Sequence, residues 1–133
     1  MTGNELVLVN PPFAAVHYPS IQLGIVQAHA DAFCVPTKTL YKNISLYSKI
    51  AKRLYNLLSD HRGFQIGDWL FSRSAFDNDN SDEFFFRFKE DISRLCSEAK
   101  ISKRYLIELQ RSIIPNFVAE TAQHIVELRP TVV

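Results

Sequence analysis

A chain of 133 residues with 47% hydrophobic and 22% charged content has the length and composition of one folding domain and not of a disordered tail. Fifteen basic residues against fourteen acidic ones leave a net charge of +1, so electrostatics gives no reason to expect nucleic acid or an anionic membrane surface as partner. The apolar runs are too short to span a bilayer. Asn4 and Glu5 stand where a secretory signal would be basic, and Pro11-Pro12 cut the first apolar run short, so the expected compartment is the cytoplasm. Cys34 and Cys96 are far apart, and neither has a second cysteine at metal-ligand spacing. Two buried thiols are expected, with no cluster site and no metal.

Leu6 to Val9 form an unbroken apolar run, the pattern of a central parallel strand, and Asn10-Pro11-Pro12 ends it because proline cannot continue a sheet ladder. The chain then turns at the carboxyl end of a strand, where open α/β sheets bind their ligands, which makes Asn10 to Ser20 the first segment to search for a site. Ser20 is the expected N-cap of the helix that follows. Ile21, Ile25, Ala28 and Ala32 share one face of that helix, and the small Gly24 and Ala28 would let it approach a sheet closely. Residues 33–35 and 39–41 surround Pro36 with β-branched and aromatic side chains, which predicts a second strand edged or broken by proline.

From Ile44 the period becomes helical. Leu46, Tyr47, Ile50, Leu54, Leu57 and Leu58 form the apolar stripe, with Gly63 as the stop. Gly67 to Phe76 reads as another helix whose aromatic residues belong to the core. The acidic run Asp77 to Glu83 lacks the glycine and closing glutamate of a calcium loop, and reads instead as a helix start with Asn80 and Glu83 as a capping box. Phe85, Phe88, Ile92, Leu95 and Ala99 make one face of the helix after it, widened by Phe84 and Phe86. A last long helix opens near Ser102, kinks at Pro115 and ends near Leu128, and Thr131-Val132-Val133 opens a further strand. The expected fold class is therefore α/β. Residues 1–43 form a first β-α-β unit, residues 44–128 a large all-helical insertion with a return helix, and residues 129–133 the start of the next strand. A parallel sheet of so few strands suggests the front part of something longer, or strands supplied by another chain.

Taken together, Leu-Val-Asn-Pro-Pro-Phe at 8–13, Pro-Ser-Ile-Gln-Leu-Gly at 19–24, Gly-Asp-Trp-Leu-Phe at 67–71 with Ala75-Phe76, and the final Leu-Arg-Pro-Thr-Val-Val resemble the N-terminal region of radical S-adenosylmethionine proteins that mature ribosomal peptides and bacteriocins, a family of cobalamin-dependent C-methyltransferases. The resemblance implies a partial Rossmann-like, cobalamin-binding-type domain placed before a radical barrel. It implies cobalamin as cofactor, a radical catalytic domain or subunit and a precursor peptide as partners, and an iron-sulfur cluster with S-adenosylmethionine in the catalytic part. This chain has no CxxxCxxC, so it is not an enzyme on its own and carries no catalytic residue for that chemistry. His17, His29, His61 and His124 all lack the DxHxxG context that supplies a histidine to cobalt. On this reading Asn10, Pro11, Pro12, Phe13, His17, Ser20 and Gly24 form the cofactor rim, with loop amides and the helix N-terminus holding polar side groups of the corrin.

A second reading makes the chain a recognition module, in which the Phe-rich helices between Ile44 and Ala99 bind a leader peptide or a partner subunit without cofactor. A hydrolase is poorly supported, since Ser20, Ser72 and Ser74 lack a G-x-S-x-G context and Asp60-His61 reads as a helix end. No phosphate-binding glycine loop occurs. Unpaired strand edges and apolar helix faces also predict a homodimer.

Overall fold

The computed structural model describes residues 6–60 and 65–133. Two parallel strands, β1 (Leu6–Asn10) and β2 (Thr37–Tyr41), are joined by helix α1 (Ile21–Ala32) and pair from Leu6↔Thr37 to Asn10↔Tyr41. On the other side of β1, Val132 makes a parallel bridge to Leu6, and its carbonyl accepts from the Val7 amide at 2.9 Å. β1 is thus the middle of the sheet, as its apolar run predicts, and Val7 is fully buried. Ser20 caps α1 by accepting from the Leu23 amide at 3.3 Å. The second strand lies after Pro36 only. Residues 33–35 form a tight exit from α1, with Cys34 in the left-handed region at φ 56° and the Val35 amide donating to Ala30 O. Cys34 is exposed and only Cys96 is buried, which corrects the expectation of two buried thiols. Burial, the larger influence on it, pushes the Cys96 thiol up, and the Lys103 charge pulls it partly back.

The helices are shorter than their periodicity predicts. The stripe that starts at Ile44 is divided into α2 (Lys42–Lys49) and α3 (Lys52–Ser59) because Ile50 is extended, at φ −119° and ψ 169°. The break lets Ile50 and Leu54 both enter the core, and the amide of Ala51 is satisfied by the Tyr105 hydroxyl at 2.9 Å. Removing that acceptor with Tyr105→Phe is expected to cost about 1 kcal/mol, read as a lower urea midpoint at unchanged slope. The expected stop at Gly63 lies outside the described residues. α4 (Ile66–Phe76) follows, then α5 (Ser81–Arg87) and α6 (Lys89–Ala99), which bend at Phe88 where the sequence predicts one helix.

Asn80 makes no side-chain cap, so the expected capping box is not formed. Asp79 does that work: its Oδ1 accepts from the Ser81 amide at 3.3 Å and the Ser81 hydroxyl at 2.7 Å. Its Oδ2 meets Arg111 at 2.9 Å and Arg73 at 3.3 Å. The Ser81 hydroxyl and amide, and then Arg111, hold the Asp79 carboxyl below its usual range. That stabilisation is present above the ordinary carboxylate pKa and is lost as pH falls through the depressed value. Asp79→Asn is expected to lower stability at neutral pH and to flatten its fall on acidification, as measured by urea unfolding across the acid range.

Ser102 caps α7 (Lys103–Glu108) by accepting from the Tyr105 amide at 3.1 Å. A wide π-type turn over Leu109–Ile113 leads into α8 (Ile114–Leu128), and within it the Ile114 amide bonds to Leu109 O. The irregularity expected at Pro115 is therefore taken up in the turn before it, where a proline lacking its N–H is accommodated without a ladder gap. Leu46, Leu54, Ile66, Leu70, Ile92, Leu106, Leu109 and Ile114 form the centre of one core made by α2 to α8. Phe13, from the loop after β1, packs against it.

Candidate functional site

The loop after β1 is fastened to the helical core. Pro11 O accepts from the Ala14 amide at 3.3 Å, closing a turn, and Phe13 sits in the left-handed region at φ 63°. A non-glycine residue there costs on the order of 1 kcal/mol, and the ring's seat explains why it is tolerated. The Phe13 ring lies 5.5 Å from Tyr55 and 5.9 Å from Phe71, edge-on to the latter. It also approaches Gly67 so closely that a Cβ there would stand 3.3 Å from it. The Tyr55 hydroxyl donates to Ala14 O at 2.8 Å, and Asn43 Nδ2 donates to Ala15 O at 3.3 Å. Burial pushes the Tyr55 phenol up to about 12.

Of the rim residues expected from sequence, Asn10 is buried, Pro12 and Phe13 are half-buried, and Pro11 and His17 are exposed. Ser20 is committed to the α1 cap. Gly24 lies on the open side of α1, and nothing stands within 4 Å of a Cβ built on it. The expected close approach of Gly24 and Ala28 to the sheet therefore does not occur. Ala30 is the buried residue of α1, and Gln27 accepts from the Thr39 hydroxyl at 2.9 Å. The face bearing Ile21, Ile25, Ala28 and Ala32 points away from the strands. The short exit through Cys34 fixes the rotation of α1 relative to β2, and two strands offer too little surface to turn it.

The cavity beside the loop, lined by Pro12, Phe13, Gly67, Asp68 and Phe71, measures about 210 Å³, below the range of small-molecule sites. Ala14 O and Ala15 O already accept from Tyr55 and Asn43, and Asn43 Oδ1 is enclosed without reaching the surface. No group of three His, Cys, Asp or Glu side chains able to hold a metal occurs among the described residues.

A larger cavity of about 460 Å³ lies along α5, lined by Gln65, Asn80, Glu83, Phe84, Arg87 and Phe88. Phe84 stacks on Trp69 with ring centroids 5.1 Å apart and an interplanar angle of 8°. Phe88 lies 4.8 Å from Phe84, and the Arg87 guanidinium sits 5.8 Å from the Phe88 ring centre. Glu83 and Arg87, one turn apart, place opposite charges on a rim above an aromatic floor. The run of phenylalanines announces this floor in the sequence. Gln65 and Asn80 come from the starts of different helices; the sequence marks Asn80 only as a helix start, and no local pattern marks Gln65.

No family model, no curated protein and no solved structure matches this chain. No helix among the described residues is long and apolar enough to cross a membrane.

Proposed function

We infer that this chain is a non-catalytic recognition domain that takes an amphipathic peptide segment into the α5 groove without a cofactor. The observation that carries this reading is the 460 Å³ cavity with Phe84 and Phe88 as floor and Glu83 and Arg87 on its rim. Its size suits one or two apolar anchor side chains of a peptide, and its paired charges suit flanking ions of the opposite order. The resemblance to peptide-maturing radical proteins supplies the setting, in which the bound segment belongs to a precursor peptide and the chemistry to a separate catalytic domain or subunit. The parallel β1-α1-β2 unit, with Val132 adding to the β1 edge, agrees with a Rossmann-like framework in which the helical unit is the elaborated part.

The test is selection of a displayed random-peptide library on the intact protein, followed by binding of the selected peptides to Glu83→Lys and Arg87→Glu. Both side chains are on the exposed rim, so neither change disturbs the core. The expected result is a consensus of alternating apolar and charged residues, with affinity reduced about tenfold or more by either variant. Selected peptides that bind both variants as well as the unaltered chain would place recognition elsewhere.

A further inference from the structure

We propose that the cavity between the loop after β1 and the start of α4 binds the head of a small organic cation, an alkylammonium or quaternary ammonium group. Pro12, Phe13 and Phe71 give it apolar walls, and Gly67 contributes bare backbone. Asp68 is the one charged side chain among the described residues that line it. It shares none of these residues with the α5 groove, so the proposal stands apart from the peptide reading.

The lining selects a cation with an apolar skin. The Phe13 and Phe71 ring planes stand at 85° with centroids 5.9 Å apart, so two aromatic walls meet at nearly a right angle. Aromatic faces are electron-rich and attract ammonium groups that have given up their water. Asp68 supplies the counter-charge: it is exposed, and no cation among the described residues pairs with it. A neutral ligand would gain only the apolar contact, and an anion would meet the carboxylate. At about 210 Å³ the space suits a cationic head and not a drug-sized molecule.

The cavity is also preformed. Phe13 holds its ring there at φ 63°, a backbone state that a Cβ disfavours, and strain of this kind gathers where ligands are clamped. The Tyr55 hydroxyl and Asn43 Nδ2 donate to Ala14 O and Ala15 O and fix the loop in that state. The aromatic wall is therefore in place before a ligand arrives, which lowers the cost of binding. Gly67 keeps the meeting point of loop and helix clear, since a Cβ there would stand 3.3 Å from two atoms of the Phe13 ring.

The experiment follows the Gly67 amide of the isotope-labelled full chain by NMR during titration with choline. The uncharged carbon analogue of choline and sodium chloride at equal ionic strength are the controls, and an acetylated trimethyllysine amide is the second cation. Choline is expected to shift Gly67 saturably, its N-methyl protons moving upfield against the rings, with affinity about tenfold or more above that of the carbon analogue. Asp68→Asn removes the charge at an exposed position, so it is expected to keep the circular dichroism and weaken choline about tenfold, while Asp68→Glu retains most of the affinity. Tighter binding of the trimethyllysine amide than of choline would support the proposal and assign the site to a peptide side chain; the reverse order would support it and assign the site to a free amine. Equal binding of the carbon analogue, unchanged choline affinity in Asp68→Asn, or no saturable shift of Gly67 up to about 50 mM choline would overturn it.

Discussion

Replacing Tyr55 by alanine is expected to cost about 4 kcal/mol, the largest loss from any single truncation considered for this chain. Tyr55 is fully buried and its ring contacts both Phe13 and Tyr47, at 5.5 Å and 5.3 Å. Its hydroxyl holds Ala14 O at 2.8 Å. Alanine would leave a cavity in the helical core and release the loop after β1, so the β-α-β part would lose its anchor together with the core. Tyr55→Phe separates the two effects: it keeps the ring and removes only the hydrogen bond, with an expected loss of about 1 kcal/mol. The alkaline limb of stability provides a second check. The phenol sits at about 12 in the folded chain against an ordinary 10.0, so the folded state favours the neutral form. The associated stabilisation is complete below pH about 10 and is lost as pH rises through 12. Urea unfolding of Tyr55→Phe is expected to show a shallower alkaline decline than the unaltered chain.

Gln110→Ala is expected to cost about 3 kcal/mol, nearly as much, although glutamine is seldom a core residue. Gln110 is completely buried. Its Nε2 donates to Trp69 O at 3.0 Å, and its Oε1 faces the Ser81 hydroxyl at 3.0 Å. One side chain therefore ties α4 and the start of α5 to the π-type turn. That turn is the reason Gln110 points inward, since the extra residue rotates the face of the helix before Pro115. Gln110→Leu keeps most of the volume and loses the hydrogen bonds, for an expected cost of about 2 kcal/mol. Guanidinium unfolding of the two variants measures both values. The same substitutions are expected to loosen Phe84 against Trp69, because α5 starts at the Ser81 that Gln110 holds.

These contacts show what the sequence makes legible. An apolar run stopped by Pro11-Pro12 defines β1, and Ser20 and Ser102 announce their helices by a mechanism that is local in the chain. Breaks with distant causes are invisible at that level: Ile50 leaves the helix to enter the core, and its neighbour's amide is satisfied by Tyr105, more than fifty residues away. The rotation of α1 depends on a left-handed Cys34, a conformation that residue type does not signal. The candidate rim of Asn10 to Ser20 was legible as a loop at the carboxyl edge of the sheet. Its attachment through Tyr55, Asn43 and Gly67 was not, because those residues lie in sequence among ordinary helix positions. The aromatic floor of the α5 groove was visible as a phenylalanine run, whereas the division between buried and groove-lining rings depends on Trp69 and the bend at Phe88.

The chain contains a single tryptophan, and it stacks directly on the groove residue Phe84. Trp69 emission therefore reports occupancy of the proposed site, and the decisive measurement is its titration with selected peptide, beside gel filtration of the same protein with hydroxocobalamin. A saturable change in Trp69 emission that Arg87→Glu abolishes, with no cobalamin carried through the column, is the result expected of a cofactor-free recognition domain. Stoichiometric retention of hydroxocobalamin, with Trp69 unresponsive to every selected peptide, would contradict it.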